Sequence, residues 1–186
     1  MKFAPRDLPN LISFGRLLAV LPFVFLLLEH RFAWALTVFL LAGISDGLDG
    51  FLAKRFGWES RLGGIIDPLA DKILLVAAFL VLGALSLIPV WLVIAVITRD
   101  FIIVGGATLY HYRVEELRAD PLLTSKLNTL LQILLVIAVI ANAGFYPLPA
   151  SLIEALIWSC LVSILVSGVQ YIWIWWHKAL QKGFKE

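Results

Sequence analysis

Six long apolar stretches alternate with short polar segments along the chain. A helix of about 20 apolar residues crosses the hydrocarbon core of a bilayer. The pattern therefore predicts six membrane-spanning helices, at residues 10–28, 32–55, 67–87, 90–113, 123–143 and 151–176. No polar stretch is long enough for an additional soluble domain, so residues 1–186 are expected to form a single six-helix transmembrane domain. The predicted fold class is an all-α membrane protein.

Composition excludes an ordinary soluble domain. Hydrophobic residues make up 61% of the chain and charged residues 15%, whereas soluble domains carry about 25% charged residues. The single cysteine, Cys160, excludes an internal disulfide and a cysteine metal cage. The first apolar run continues from Leu11 past Leu28 without a small-residue cleavage site, so we expect no removable targeting segment. Residues 1–10 also lack the Arg- and Ser-rich composition of an organelle transit peptide, which favours a bacterial inner membrane.

Lysine and arginine are concentrated on one side of the predicted helices. In polytopic membrane proteins the side rich in these residues faces the cytoplasm. The opposite loops contain only Arg31, and an even number of spans also brings both termini to one side. Both termini are therefore expected to be cytoplasmic. The basic side carries Lys2, Arg6, Lys54, Arg55, Arg61, Arg113, Arg118, Lys126, Lys178, Lys182 and Lys185.

Four aspartates lie where the second predicted span ends and the third begins. Asp46 and Asp49 are three residues apart, and Asp67 and Asp71 are four apart, so each pair shares one face of a helix. Carboxylates crowded together at a membrane are unfavourable, and a divalent cation would compensate their charge. Oxygen ligands select Mg²⁺, Mn²⁺ or Ca²⁺, and four carboxylates suit two ions about 3.5–4 Å apart. The expected metal site lies on the cytoplasmic side.

Small residues are interleaved with these aspartates. Gly50 and Ala53 have little or no side chain, so a phosphate group can approach the helix backbone on their face. Gly63-Gly64 permits a turn before the third span. Single pieces also have structural interpretations. Asp67-Pro68 is typical of a helix N-cap followed by proline, and Asp49-Gly50 is typical of a turn. The complete set at these spacings favours a chemical role.

The aspartate segment resembles the signature of the CDP-alcohol phosphotransferase family, D-x2-D-G-x2-A-R-x8-G-x3-D-x3-D. Lys54 departs from it, because the signature has arginine there, and Arg55 follows directly. A lysine keeps the charge but loses the two-pronged contact with phosphate, so the role is open to either residue. The matching positions are Asp46, Asp49, Gly50, Ala53, Gly63, Asp67 and Asp71.

The resemblance implies the family's fold and its reaction, transfer from CDP-diacylglycerol to an alcohol with release of CMP. It implies that the four aspartates hold two Mg²⁺ or Mn²⁺ ions per active site, and that Asp71 is also the general base. A homodimer in the membrane is implied, and no nucleic-acid partner is expected. Asn10 has an alternative role as the cap of the first helix. Donor binding is assigned to Asn10, Gly50, Ala53, Lys54 and Gly63.

Positive charge near the expected site predicts an anionic acceptor and argues against free serine or choline. Arg99 lies inside an apolar span, where a charge is functional by default. The alternative is a structural pair of Arg99 with Asp100 or with the aspartate cluster. The alternative for Lys126 is an interfacial lysine whose charged end reaches water. The alternative for Arg118 is a loop residue whose charge attracts anionic lipid. The residues assigned to acceptor binding are Arg16, Arg99, Arg118, Lys126 and Asn128.

Asn128 is the basis for choosing between two anionic acceptors. The family members that use glycerol 3-phosphate tend to have lysine at this position, which suits a phosphate monoester with nearly two charges. A neutral amide suits a diester with one charge. The expected reaction therefore forms cardiolipin and CMP from CDP-diacylglycerol and phosphatidylglycerol. Phosphatidylglycerophosphate synthesis from glycerol 3-phosphate is the alternative.

A cation transporter is a more distant alternative, because intramembrane aspartates also occur in transporters. That function predicts carboxylates near the bilayer midplane and inverted repeats. Here the aspartates lie towards the cytoplasmic side, and the sequence has no convincing repeat.

Small residues recur at every fourth position of the sixth span. Ser159, Ser163 and Ser167 have this spacing, with Cys160 and Gly168 beside them. Small residues let helices approach closely, and the contact can be either with another helix of the chain or with a second copy in a dimer.

Overall fold

The computed structural model describes residues 8–56, 63–113 and 123–182. All six expected helices are present, and no β-strand occurs among the described residues. The all-α prediction is confirmed. The helices are α1 (Leu8–Leu28), α2 (Phe32–Phe56), α3 (Gly63–Ala84), α4 (Val90–Arg113), α5 (Leu123–Gly144) and α6 (Ala150–Lys182).

Two helices differ most from their predicted bounds. α3 begins at Gly63, before the expected start, so Asp67 lies inside the helix and the N-cap interpretation of this residue is wrong. Pro68 is the sixth residue of this helix, so it removes one of the backbone hydrogen bonds in the second turn. α6 continues to Lys182, since neither glycine nor proline occurs between the predicted end at residue 176 and Gly183.

α1 and α3 end in the same type of cap. The N–H of Arg31 donates to the carbonyl of Leu26 at 2.8 Å, and the N–H of His30 donates to the carbonyl of Leu27 at 3.0 Å. His30 has a left-handed φ of 57°, as the Schellman motif requires of the residue after the helix. Ser86 repeats this arrangement at the end of α3, also with φ 57°. Both caps turn the chain within a few residues.

Three helical stretches of the described chain are long and apolar enough to cross a membrane. They are Leu11–Leu28, Leu123–Gly144 and Ala150–Ile174, with mean hydropathies of 2.4, 1.9 and 2.1. The apolar parts of α2 and α3 are shorter, at Phe32–Leu48 and Lys72–Ala84. The chain is a membrane protein, while the full count of six spans and the cytoplasmic termini stay predictions.

Large apolar side chains cover much of the outer surface. Exposed apolar surface on this scale is unfavourable in water, but it is expected where lipid surrounds the helices. Examples are Leu21, Trp34, Phe101 and Val169. The interior must therefore be identified from packing and polar contacts rather than from hydrophobicity.

The described residues form two compact units. Unit 1 contains α1, α2, α3 and the end of α5 from Ile137. Unit 2 contains α4, α6 and the part of α5 up to Val136. The single catalytic domain expected over residues 1–186 stays a prediction.

In unit 1, α1 packs against both α2 and α3. The core includes Phe23 and Leu27 of α1, Phe39 of α2, and Phe79 and Leu82 of α3, all of them buried. The rings of Phe23 and Phe39 have centroids 5.5 Å apart and an interplanar angle of 35°, within the range of favourable aromatic pairs. This packing holds the helix that carries Asp46 and Asp49 against α1.

Unit 2 is held together by hydrogen bonds around Arg99 of α4. Arg99 has only 7% of its surface exposed. Its Nη2 donates to the hydroxyl of Ser125 on α5 at 2.8 Å and to the hydroxyl of Ser167 on α6 at 2.7 Å. Its Nη1 donates to Oδ1 of Asp100 at 2.9 Å. One guanidinium thus connects three helices, because its planar fork carries several N–H donors.

A second layer of polar contacts joins α5 to α6. The hydroxyl of Ser163 lies 2.8 Å from Oδ1 of Asn128 and 2.8 Å from the carbonyl of Cys160. Since a hydroxyl has one proton, it donates to one of these oxygens at a time. Thr124 donates to Oε1 of Gln170 at 2.6 Å. Such interhelical hydrogen bonds are a usual means of helix association in membranes.

The small residues of α6 are used mainly inside the chain. Ser163, Ser167 and Cys160 are buried, whereas Ser159 is exposed. Contact with another helix of the same chain is therefore confirmed for Ser163 and Ser167. The homodimer stays a prediction.

Gly144→Ala is expected to destabilise unit 1. A Cβ at residue 144 would lie 2.6 Å from the Cβ of Phe32, so the end of α5 would have to move away from the start of α2. Overpacking of this kind costs about 1–3 kcal/mol. The apparent Tm in detergent, followed by the loss of helical circular dichroism, should fall.

Gly43→Ala is the matched control for this variant. Nothing lies within 4 Å of a Cβ built at residue 43, and alanine favours a helix more than glycine does. The Tm of this control should stay the same or rise. Equal Tm values for Gly144→Ala and Gly43→Ala would contradict the close approach to Phe32.

Ser167→Ala is expected to destabilise unit 2, because it removes an acceptor from the buried Arg99. Hydrogen bonds to charged groups contribute about 1.5–3 kcal/mol. Cys160, the one cysteine of the chain, is buried, so its labelling by a thiol-reactive dye during heating reports unfolding. Ser159→Ala makes the same change at an exposed position of α6. If Ser167→Ala unfolds no earlier than Ser159→Ala, the bond to Arg99 contributes nothing.

Candidate active site

The four aspartates of the predicted metal site lie on two helices that contact each other in unit 1. Asp46 and Asp49 belong to α2, and Asp67 and Asp71 belong to α3. Because both segments are helical, the three-residue and four-residue spacings place each pair on one helix face. The helical spacing that the metal prediction assumes within each pair is therefore present.

Asp46 is the only one of these four residues whose side chain is among those described. The side chains of Asp49, Asp67 and Asp71 lie outside the described residues, so their convergence stays a prediction. Within the described part of the chain, no group of three or more His, Cys, Asp or Glu side chains could hold a metal ion. This finding does not test the expected site, because three of its carboxylates lie outside the described side chains.

Asp46 is ion-paired with Arg16 of α1. Nη1 of Arg16 lies 2.5 Å from Oδ1 of Asp46. The Arg16 side chain has 0% of its surface exposed, whereas that of Asp46 is 40% exposed. The pair joins α1 to α2 and leaves the carboxylate accessible.

Sequence reasoning missed this pair. Arg16 was assigned to acceptor binding because of its charge. Charged side chains inside a membrane usually have a partner, so an acidic side chain is expected close to Arg16. It does not select Asp46, which is 30 residues away in the chain.

The residues expected to bind the donor are only partly described. Asn10 lies in the first turn of α1; Gly50, Ala53 and Lys54 lie in the last turns of α2, and Gly63 begins α3. Their side-chain environments lie outside the described residues, so their roles stay predictions. Arg55 is exposed, and the choice between Lys54 and Arg55 for the family arginine stays open.

Two of the residues expected to bind the acceptor lie in the polar interior of unit 2. Arg99 and Asn128 are buried and bonded to serines of α5 and α6. The pair of Arg99 with Asp100, the structural alternative, is also present. Lys126 is exposed on α5, which agrees with the interfacial alternative. Arg118 lies outside the described residues.

Further polar side chains extend this interior along α5. Gln132 lies one turn beyond Asn128 and is buried. Nε of Arg99, Nδ2 of Asn128 and Nε2 of Gln132 are buried donors without a hydrogen-bond partner among the described residues. The spacing of Ser125, Asn128 and Gln132 along one helix face could have indicated this seam from the sequence.

The donor set of the four aspartates fits a hard divalent cation. Carboxylate oxygens are the ligands that Mg²⁺ and Mn²⁺ prefer. One of the four, Asp46, already has a cationic neighbour in Arg16. The residues present are therefore chemically suited to the expected ions.

Comparison with known proteins identifies relatives of the chain. The family model of CDP-alcohol phosphatidyltransferase matches residues 6–178. A rat protein named cardiolipin synthase (CMP-forming) is 32% identical to this chain, with 95% of this chain and 64% of the rat protein covered. The human protein of the same name is 35% identical, with 76% of this chain and 52% of the human protein covered.

A bacterial relative has a different name. CDP-diacylglycerol–glycerol-3-phosphate 3-phosphatidyltransferase of Bacillus subtilis is 28% identical and covers 89% of this chain and 93% of its own length. By contrast, the chain spans only between half and two thirds of the two cardiolipin synthases. Since the family model matches nearly the whole chain, the resemblance found at the aspartate segment is confirmed. The chain belongs to the CDP-alcohol phosphatidyltransferase family.

Proposed function

We propose that the chain transfers the phosphatidyl group of CDP-diacylglycerol to phosphatidylglycerol, forming cardiolipin and CMP. The observation that carries this proposal is the similarity to the rat and human proteins named cardiolipin synthase (CMP-forming). The rat protein aligns with 95% of the chain, so the similarity is not confined to the aspartate segment. The membrane location suits a reaction in which both reactants are lipids.

Asn128 supports a lipid diester as acceptor. This amide is fully buried and accepts a hydrogen bond from Ser163. Because an amide is neutral, it adds no charge to the interior of unit 2. Phosphatidylglycerol carries one negative charge, whereas glycerol 3-phosphate carries nearly two. The neutral amide supplies no partner for the second charge of glycerol 3-phosphate, so this position suits the singly charged diester better.

Phosphatidylglycerophosphate synthesis is the second candidate function. The Bacillus subtilis relative, whose name states glycerol 3-phosphate as acceptor, is matched over 93% of its length. That match covers a larger share of the relative than the matches to the two cardiolipin synthases do. Cation transport, the more distant alternative, has no support from these relatives.

In the proposed reaction the acceptor hydroxyl oxygen attacks the phosphorus that carries the diacylglycerol group. The bond from this phosphorus to the bridging oxygen of the diphosphate breaks, and CMP leaves. Asp71 takes the hydroxyl proton as general base, which requires hydrogen-bond reach of that hydroxyl. Asp46, Asp49, Asp67 and Asp71 would hold Mg²⁺ or Mn²⁺, which neutralises the diphosphate when bound.

The other residues of the proposed site bind and orient the two lipids. We assign the active site to the cytoplasmic side of a bacterial inner membrane, and we expect the protein to be a homodimer. Donor binding is assigned to Asn10, Gly50, Ala53, Lys54 and Gly63. Acceptor binding is assigned to Arg99, Arg118, Lys126 and Asn128.

Purified protein with CDP-diacylglycerol and Mn²⁺ is expected to form cardiolipin and CMP when phosphatidylglycerol is supplied, and to leave glycerol 3-phosphate unused. The lipid product is identified by mass spectrometry, and CMP release is measured in parallel. EDTA should stop both, because the carboxylate site requires a divalent ion.

Each other result points to a specific alternative. Formation of phosphatidylglycerophosphate from glycerol 3-phosphate would overturn the acceptor assignment and favour the second candidate. Absence of CMP release with either acceptor would overturn the transferase proposal as a whole.

Asp71→Asn is expected to reduce turnover at least about 100-fold, because general base catalysis contributes 10²–10⁴-fold and an amide cannot take the proton. Glu154→Gln, a matched change at an exposed position of α6, should leave turnover unchanged. Initial rates of CMP release at saturating lipid measure both variants. Activity retained by Asp71→Asn would exclude Asp71 as the base.

A further inference from the structure

Arg16 is an unusual residue for the interior of unit 1. It is the largest of the fully buried side chains among the described residues. A buried guanidinium loses its hydration and is retained only where the protein compensates its charge. The burial of Arg16 therefore indicates that its pair with Asp46 is required by the fold.

The position of Arg16 excludes direct access from outside. Its side chain has no exposed surface, while the carboxylate that it contacts is 40% exposed. Of the two partners, Asp46 is the one that an ion or substrate can reach. Arg16 approaches Asp46 from within the protein, with Nη1 on Oδ1.

A metal-binding carboxylate gains from such a contact. The terminal torsion of aspartate is broad and is not fixed by the side chain itself, whereas metal–ligand distances are defined to about 0.2 Å. A donor on Oδ1 restricts rotation and leaves Oδ2 for the ion. Residues that hydrogen-bond to metal ligands in this way affect metal affinity although they never touch the ion.

We propose that Arg16 is a positioning residue that orients Asp46 for metal binding and offsets part of the aspartate charge when no ion is bound. The proposal rests on the metal role proposed for Asp46. It replaces the acceptor-binding role first assigned to Arg16, and the two roles differ in what they predict. A positioning residue changes metal affinity in the absence of any lipid, whereas an acceptor-binding residue changes only the KM for the acceptor.

The test is a Mn²⁺ titration of purified protein in detergent without lipid, with free Mn²⁺ measured by electron paramagnetic resonance. Arg16→Met is expected to weaken Mn²⁺ binding about 10–100-fold, the range for lost partners of metal ligands. Arg16→Lys should give a smaller loss, since lysine keeps the charge but not the planar fork. Arg31→Met is the control, because Arg31 pairs with Glu29 at 3.8 Å and both side chains are exposed.

A double-mutant cycle tests whether Arg16 changes the Mn²⁺ affinity through Asp46. If Arg16 acts through Asp46, Arg16→Met should cause no further loss of Mn²⁺ affinity in protein that already carries Asp46→Asn. An undiminished effect in that background would overturn the proposal, because Arg16 would then act on another residue.

Unchanged or tighter Mn²⁺ binding by Arg16→Met would also overturn the proposal, and a raised acceptor KM alone would restore the acceptor-binding role. If Arg16→Met does not fold, Arg16→Lys decides, and wild-type Mn²⁺ affinity in that variant is the contradicting result. The titration contains no lipid, so its result does not depend on whether the protein forms cardiolipin. Failure of the unchanged protein to bind Mn²⁺ would overturn the metal site and this inference together.

Discussion

A charged side chain among apolar helices must be compensated by the protein, because hydrocarbon offers neither charge nor hydrogen bonds. Among the described residues, the buried charged side chains are Arg16 and Arg99, one in each unit. Each joins different helices: Arg16 connects α1 to α2, and Arg99 connects α4 to α5 and α6. Helix packing and charge compensation are therefore achieved by the same contacts.

The positive charges of Arg16 and Arg99 are compensated in different ways, and the two residues are accordingly suited to different roles. The described ion pair of Arg16 is with a carboxylate of the family signature. Arg99 has one carboxylate neighbour and two neutral hydroxyls. An oxygen of a substrate can replace one of the hydroxyls bonded to Arg99, whereas the ion pair of Arg99 with Asp100 is costly to break. Arg99 thus remains suited to an anionic acceptor, and Arg16 is suited to holding a carboxylate in place.

Apolar runs predicted all six helices because span length and hydropathy are properties of consecutive residues. The start of α3 was missed, since Asp67-Pro68 matches an N-cap locally while the helix already begins at Gly63. The pair of Arg16 with Asp46 could not be predicted, because it depends on how α1 packs against α2. The period of Ser163 and Ser167 predicted a close contact but could not name Asn128 and Arg99 as the partners.

The lengths of the connections have a mechanical consequence. Residues 29–31, 85–89 and 145–149 join helix ends on one side of the predicted topology, and residues 57–62 and 114–122 join them on the other. Even a fully extended five-residue connection spans no more than about 18 Å. Residues 29–31 therefore keep one end of α1 next to one end of α2. The pair of Arg16 with Asp46 joins the same two helices towards their other ends, so the two helices are connected near both ends.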